Sequence, residues 1–266
     1  MNHPLPEQNP DVRRTLPGHF RTKDHATDTA GIPWHGRDYA ASPFPDDRGE
    51  RTEALVHALA AVDDGADAFR EGLVNALRGQ RVLIPIQAIA TETEVTDSGL
   101  HADNASDMAM VKLQLPSGDV ALPLFTSVTA LNGWNSDARP VPMVCEQAAQ
   151  AAVAEGCTML VIDLGREKPI VLSRSALWAL AQGRAWVAPH RDPEVLDALA
   201  QLPQQIAAVA AAEARPGENR EVELVLTLIP GLDREALNAA LSQVQTALAA
   251  SEVIAERVSS LKLTLQ

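Results

Sequence analysis

Arg81–Ala90 reads RVLIPIQAIA, a run with hardly a polar break. It is short for a helix and rich in branched apolar residues, so it predicts a strand buried on both faces, which demands packed layers on either side. Pro85 removes one ladder donor inside it and points to a bulge or an edge on one side. Extended and helical patterns alternate around this run. Leu55, Leu59 and Val62 share a helix face that ends at Asp63-Asp64-Gly65, and a helix from about Asp67 to Arg78 carries Phe69, Leu73, Val74 and Leu77 before Gly79. Met108–Leu115 and Val120–Phe125 flank the turn Pro116-Ser117-Gly118 as a hairpin, and Ser127 is placed to cap a short helix through Leu131.

Further on, Pro140 and Pro142 bracket an extended piece ending at Val144. An Ala-rich helix over Glu146–Glu155, strands at Thr158–Asp163 and Ile170–Leu172, and a helix from Ser173 to Ala181 follow. Trp178 is expected on the buried stripe of that last helix beside Leu177 and Ala181. The fold class this implies is α/β (α+β), a mixed β-sheet flanked by helices. Residues 50–190 form the main domain, and residues 191–219 read as an Ala-rich helix, about Pro193–Ala214, with a linker. Residues 220–266 make a β-α-β module: Glu221–Leu228 alternates as a strand, Asp233 caps a helix with Leu237, Leu241, Val244 and Leu248 on one stripe, and Val258–Leu265 alternates again. Such a module cannot cover both sheet faces alone, so it must pack on the rest of the chain or on a second copy.

Residues 1–49 are rich in proline and scattered charge and carry almost no periodic apolar pattern, which predicts a mostly disordered arm. At its end Trp34, Tyr39 and Phe44 recur every five residues and are candidates for docking on the body or for contact with a partner.

Composition narrows the function. With 22 Lys+Arg against 35 Asp+Glu the net charge is −13, and no segment is net basic, which disfavours nucleic acid and anionic membrane surfaces as partners. The first residues lack the apolar stretch of a secretory signal and no run approaches a bilayer span, so the expected location is cytoplasmic. Aromatics are only 3% and 44 residues are Ala, so the core must be aliphatic with each Trp an anchor. Cys145 and Cys157 flank a helix that would hold them ~18 Å apart, too far for a disulfide, and read as buried thiols. None of the seven His pairs at ligand spacing, so neither metal nor cofactor is expected.

Nucleophile-elbow and phosphate-loop motifs are absent from the sequence. The carboxylates Glu92, Glu94, Asp97, Asp103 and Asp107 read as an acidic loop, with Asp103 and Asp107 the pair that leads into a strand. Phe125, Thr126 and Ser127 sit at a strand-to-helix junction, where free amides favour an anion. Asp103, Asp107, Phe125, Thr126 and Ser127 are therefore the candidate binding residues, with core packing by Phe125 and capping by Ser127 as the plainer alternative. Asp163 ends its strand where α/β folds place ligands, a weaker signal.

The pieces WHGRDY (Trp34–Tyr39), RVLIP (Arg81–Pro85), GLHADNASDMA (Gly99–Ala109), ALPLFTSVTAL (Ala121–Leu131), RPVP (Arg139–Pro142), MLVID (Met159–Asp163) and ALWALAQGRAW (Ala176–Trp186) occur in that order. Together they resemble the SseB-like family, named for enhanced serine sensitivity, in its actinobacterial form. The tail from Glu221, with Pro230-Gly231-Leu232 and ERVSSLKL (Glu256–Leu263), resembles the segment that accompanies it. The resemblance implies no enzymatic activity and supplies no catalytic residue. The expectation is a non-enzymatic interaction or regulatory protein with an unidentified protein partner, a homodimer being the other assembly considered. The alternative is a small-molecule-binding protein or an enzyme linked to amino-acid metabolism.

Overall fold

The computed structural model describes residues 44–90, 93–95, 101–103, 106–218 and 220–266, and within 88–108 it describes backbone alone. Trp34 and Tyr39 lie outside the described residues; Phe44 is described and half-buried. Asp46–Gln266 forms a single unit, with helices and mixed or antiparallel sheets as an α+β fold requires.

Helices α1 (Glu53–Asp63) and α2 (Glu71–Leu77) bury Leu55 and Leu59, and Leu73, Val74 and Leu77. The second helix starts later than its apolar pattern suggests. Arg70 adopts a left-handed φ of 62° at its N-terminal boundary, and the Asp67 carboxylate accepts from the Leu73 amide at 2.8 Å, so Asp67–Arg70 forms a turn.

Strand β1 (Arg81–Ala90) is central, between β4 (Ser106–Met110) and β7 (Arg139–Val144), both antiparallel to it. No bulge forms at Pro85. On one side it faces Pro140, and on the other its carbonyl accepts from the Val111 amide. Leu83 exchanges both of its backbone hydrogen bonds with Phe125, while the β4 ladder begins at Ile86. The missing proline donor thus falls where β1 passes from one neighbour to the next, and nothing there is left unpaired on the strand's account.

A second sheet has the order β5–β6–β8–β9, from Leu113–Gln114, Val120–Leu124, Met159–Ile162 and Ile170–Leu172. The hairpin forms as expected, but Met108–Leu115 does not run as one strand: its first half pairs with β1 and its second with β6. Within the segment expected as an acidic loop, β2 (Thr93–Val95) pairs with β3 (His101–Asp103). Strands β6 and β8 are parallel, joined through α3 (Val128–Trp134), β7 and α4 (Cys145–Ala154). Cys145 and Cys157 are both buried and free, and burial followed by the neighbouring Glu146 pushes the Cys145 thiol up to about 12.

Helix α5 (Arg174–Ala181) buries Ser175, Ala176, Leu177, Ala179 and Leu180, whereas Trp178 is 41% exposed. Its placement on the buried stripe is corrected: the inward face is filled by small and aliphatic residues packed against α4, and the indole points away. Ser173 stands at the N-cap position without a side-chain cap, its hydroxyl 3.0 Å from that of Ser175. Trp186 is the anchor here, 7% exposed, with its indole N–H donating to Ser175 Oγ.

Helices α6 (Pro193–Ala200) and α7 (Leu202–Gln205) then give way to strand β10 (Val209–Pro216). The expected helix through Ala214 ends nine residues early, because Val209–Pro216 finds a ladder partner in β11 (Val222–Leu228). Parallel to β11 lies β12 (Leu261–Leu265), reached through α8 (Arg234–Ala250) and α9 (Glu252–Arg257). One sheet face is covered by Val195, Leu199, Leu202, Val244 and Ile254. The module packs on the rest of the chain: Glu221 accepts from Ser175 Oγ and the Ser259 amide, and Arg174 donates to the carbonyls of Ala255 and Val258.

Candidate functional site

Two places concentrate unusual groups. The first lies at the carboxyl ends of β6 and β8, where parallel strands place loop residues side by side. Asp163 follows β8 directly, is 1% exposed and adopts a left-handed φ of 49°. Its Oδ1 accepts from the Thr126 amide at 2.8 Å and its Oδ2 from Thr126 Oγ1 at 2.7 Å. Arg51 closes the network. Its Nη2 donates to Asp163 Oδ2 at 2.9 Å and its Nε to Thr126 Oγ1 at 2.5 Å, with the guanidinium side chain about one-third exposed. A buried carboxylate is tolerated only when paired and hydrogen-bonded, and here both oxygens are engaged.

The same segment docks further groups. Arg81 pairs with Asp47 at 2.9 Å and donates to the carbonyls of Thr126 and Glu50. The Gly49 carbonyl accepts from the Val128 amide. Gly49 needs its φ of +77°, and a Cβ there would meet Val128 Cγ2 at 2.5 Å.

Of the predicted site residues, Phe125 is fully buried and stacks on Trp134 with centroids 5.3 Å apart. Ser127 Oγ accepts from the Ala130 amide and caps α3. Thr126 faces Asp163. The amides of Thr126, Val128 and Ala130 are thus all used within the chain, by Asp163, Gly49 and Ser127. Asp103 and Asp107 sit in β3 and β4, strands outside the β5–β9 sheet, and only their backbone is described. Sequence reading missed Arg51, since a lone arginine ahead of a helix carries no signal; the buried Asp163 after TMLVI was the signal that could have asked for one.

The second place is a cleft of about 520 Å³, within the ~300–1,000 Å³ usual for ligand sites. Phe69 and Arg70 from the turn before α2, the segment Ala188–His190, and Gly217, Glu218, Arg220 and Glu221 between β10 and β11 line it. Phe69 is 41% exposed, and its ring lies 4.4 Å from the His190 imidazole at 56°. His190 Nδ1 is shielded from solvent and has no hydrogen-bond partner. Burial first, and Arg191 second, hold the His190 pKa below its ordinary value despite the opposing pull of Glu71. Among the described residues, no group of three or more His, Cys, Asp or Glu could hold a metal ion, and no helix is long and apolar enough to cross a membrane.

Comparison with known families matches residues 55–179 to the SseB protein N-terminal domain. The chain carries an SseB-family domain. Its SseB domain takes in the strands β1 and β4–β9, the Thr126–Asp163 pair and the Phe69–Arg70 wall of the cleft; Arg51, His190 and the 217–221 turn lie outside it. No curated protein and no solved structure matches the chain. The likeness of the segment after Glu221 to an accompanying SseB segment rests on its own residues, since the matched region ends at 179.

Proposed function

We propose that this SseB-domain protein is a cytoplasmic interaction or regulatory protein that works through binding rather than through a reaction of its own. The observation that carries this reading is Trp178. Among the described residues, Trp134 stacks on Phe125 and Trp186 is buried, yet Trp178 leaves 41% of its surface in water on a helix whose other apolar residues are covered. Exposed tryptophan is a recurrent anchor of protein interfaces, because a rigid ring supplies large contact area at small entropic cost.

The test is site-specific photocrosslinking. A benzophenone side chain at position 178 of the full-length protein, irradiated in native cells, should give a discrete adduct with a protein partner, and adduct mass distinguishes a second copy from a different protein. The same group at the exposed Val56 serves as control. Absence of an adduct, or a pattern shared by both positions, overturns the reading.

The alternative, binding of a small molecule, is favoured by the cleft beside Phe69 and His190, which is open and carries unpaired polar groups.

A further inference from the structure

In a chain of net charge −13, described arginines mostly find carboxylates or carbonyls. Arg70 and Arg220 do not: among the described residues neither guanidinium has a hydrogen bond or ion pair, and both line the same cleft. Arg70 is also one of two non-glycine residues with positive φ among those described. A left-handed backbone costs about 1–2 kcal/mol for a side chain such as arginine, so the turn holds Arg70 against its local preference.

The remaining charged groups complete the balance. Glu221 is tied down by Ser175 and the Ser259 amide, and its own amide donates to Ser260 Oγ. Glu218 is unpaired. Both lining carboxylates keep their charge, so with Arg70 and Arg220 the wall is neutral overall; what it offers an anion is two guanidinium forks that no carboxylate of the chain holds. Beside these charges stands an exposed phenyl ring, in tilted contact with an imidazole whose Nδ1 is shielded and unpartnered. Flat apolar surface next to an unmatched guanidinium recognises a planar ligand bearing an acid, since guanidinium forks fit carboxylates and rings pack on rings.

We propose that the cleft binds a small monoanion built on a flat ring, an aromatic carboxylate in the simplest case, with Arg70 and Arg220 on its acid group and Phe69 against its ring. The site joins the SseB domain to the β10–β11 turn, so its occupant touches both.

Benzoate is the probe. Titrated into the isotope-labelled full-length protein, it should shift the amides of Phe69, Arg70, His190 and Arg220 in a saturable manner. Benzamide, equal in shape but neutral, should bind at least about tenfold more weakly, a difference of ~1.4 kcal/mol. Arg220→Gln, an exposed turn substitution, should weaken benzoate by a similar factor, and Arg220→Lys should restore part of it. Phe69→Ala should weaken benzoate and benzamide alike. No saturable shift at these amides, equal binding of the two probes, or indifference to Arg220→Gln in a variant whose melting temperature is unchanged would each overturn the proposal. None of these outcomes touches Trp178 or the partner inferred from it.

Discussion

The two tryptophans of the α5 region invite a direct contrast. Trp186 fills core beside Ala188 and donates to Ser175, so Trp186→Ala should cost about 3–5 kcal/mol, whereas Trp178→Ala should cost about 1 kcal/mol; urea unfolding monitored by circular dichroism measures both. Reversal of that order would return Trp178 to the core. Asp163 poses a different test. Asp163→Asn keeps the shape but turns an N–H toward Arg51 and the Thr126 hydroxyl, and should destabilise by about 2–3 kcal/mol, because a buried donor is left facing donors. Arg51→Ala, which removes a partner still one-third exposed, should cost less, about 1 kcal/mol, and the same unfolding curves decide. Glycine substitutions separate backbone strain from collision. Gly65→Ala adds strain alone and should cost about 1 kcal/mol, since a Cβ at its φ of +84° meets nothing within 4 Å; Gly49→Ala adds the Val128 clash and should cost more.

Among the elements, Val209–Pro216 is the one whose sequence misleads. Its alanines are good helix formers, and alone they would continue α7, but β11 offers a ladder that local propensity cannot see. Ala211→Val should therefore be neutral or stabilising by a few tenths of a kcal/mol, where a helix would lose about 0.5 kcal/mol, as thermal melting will show. The contrast with Arg81–Ala90 is instructive. There the apolar run itself announces a buried strand, and both its neighbours are needed to cover it. Helices α1, α3 and α4, the hairpin β5–β6 and the β11–α8–β12 unit were readable for similar reasons, each having a pattern that matches its final packing. The division of Met108–Leu115 between two sheets was not, because alternation tells which face is apolar and not which strand lies alongside. At the candidate site the fates of Phe125 and Ser127 follow from local pattern, a large ring after a buried strand and a serine before a helix. Arg51 and Thr126 meet Asp163 across 112 and 37 residues, and spacing of that length leaves no trace in sequence.

At the scale of the whole molecule, the His190 corner is one place where pH acts. The folded-state pKa of His190 lies below its ordinary 6.5, so near neutrality the unfolded chain binds more protons. The stability this contributes is complete above 6.5 and is lost as pH falls through that value toward the folded pKa. Glu71 acts lower down. Burial would raise its pKa, but the Ala188 amide and Arg191 pull it below the ordinary 4.5, so its contribution persists above 4.5 and fades as pH falls further. Melting temperature followed downward from pH 8 should decline in two windows, and His190→Gln should flatten the upper one while changing the lower one little, since His190 is the smallest of the causes that lower the Glu71 pKa. An unchanged upper window in that variant would remove His190 as the cause.

The same corner bears on how such a domain can be inherited. The SseB match closes at residue 179, yet Trp186 and Ala188 complete the aliphatic core, Asn75 exchanges two hydrogen bonds with the Trp186 backbone, and Glu71 holds the Ala188 amide. A gene fragment cut at the family boundary would encode a protein whose aliphatic core lacks Trp186 and Ala188 and whose Asn75 side chain loses both of its bonds to residue 186. A unit that recombination could move would have to carry the chain from the Asp47–Arg51 strap past Ala188, together with the Glu221 and Ser259 contacts to Ser175 that belong to the same compact body.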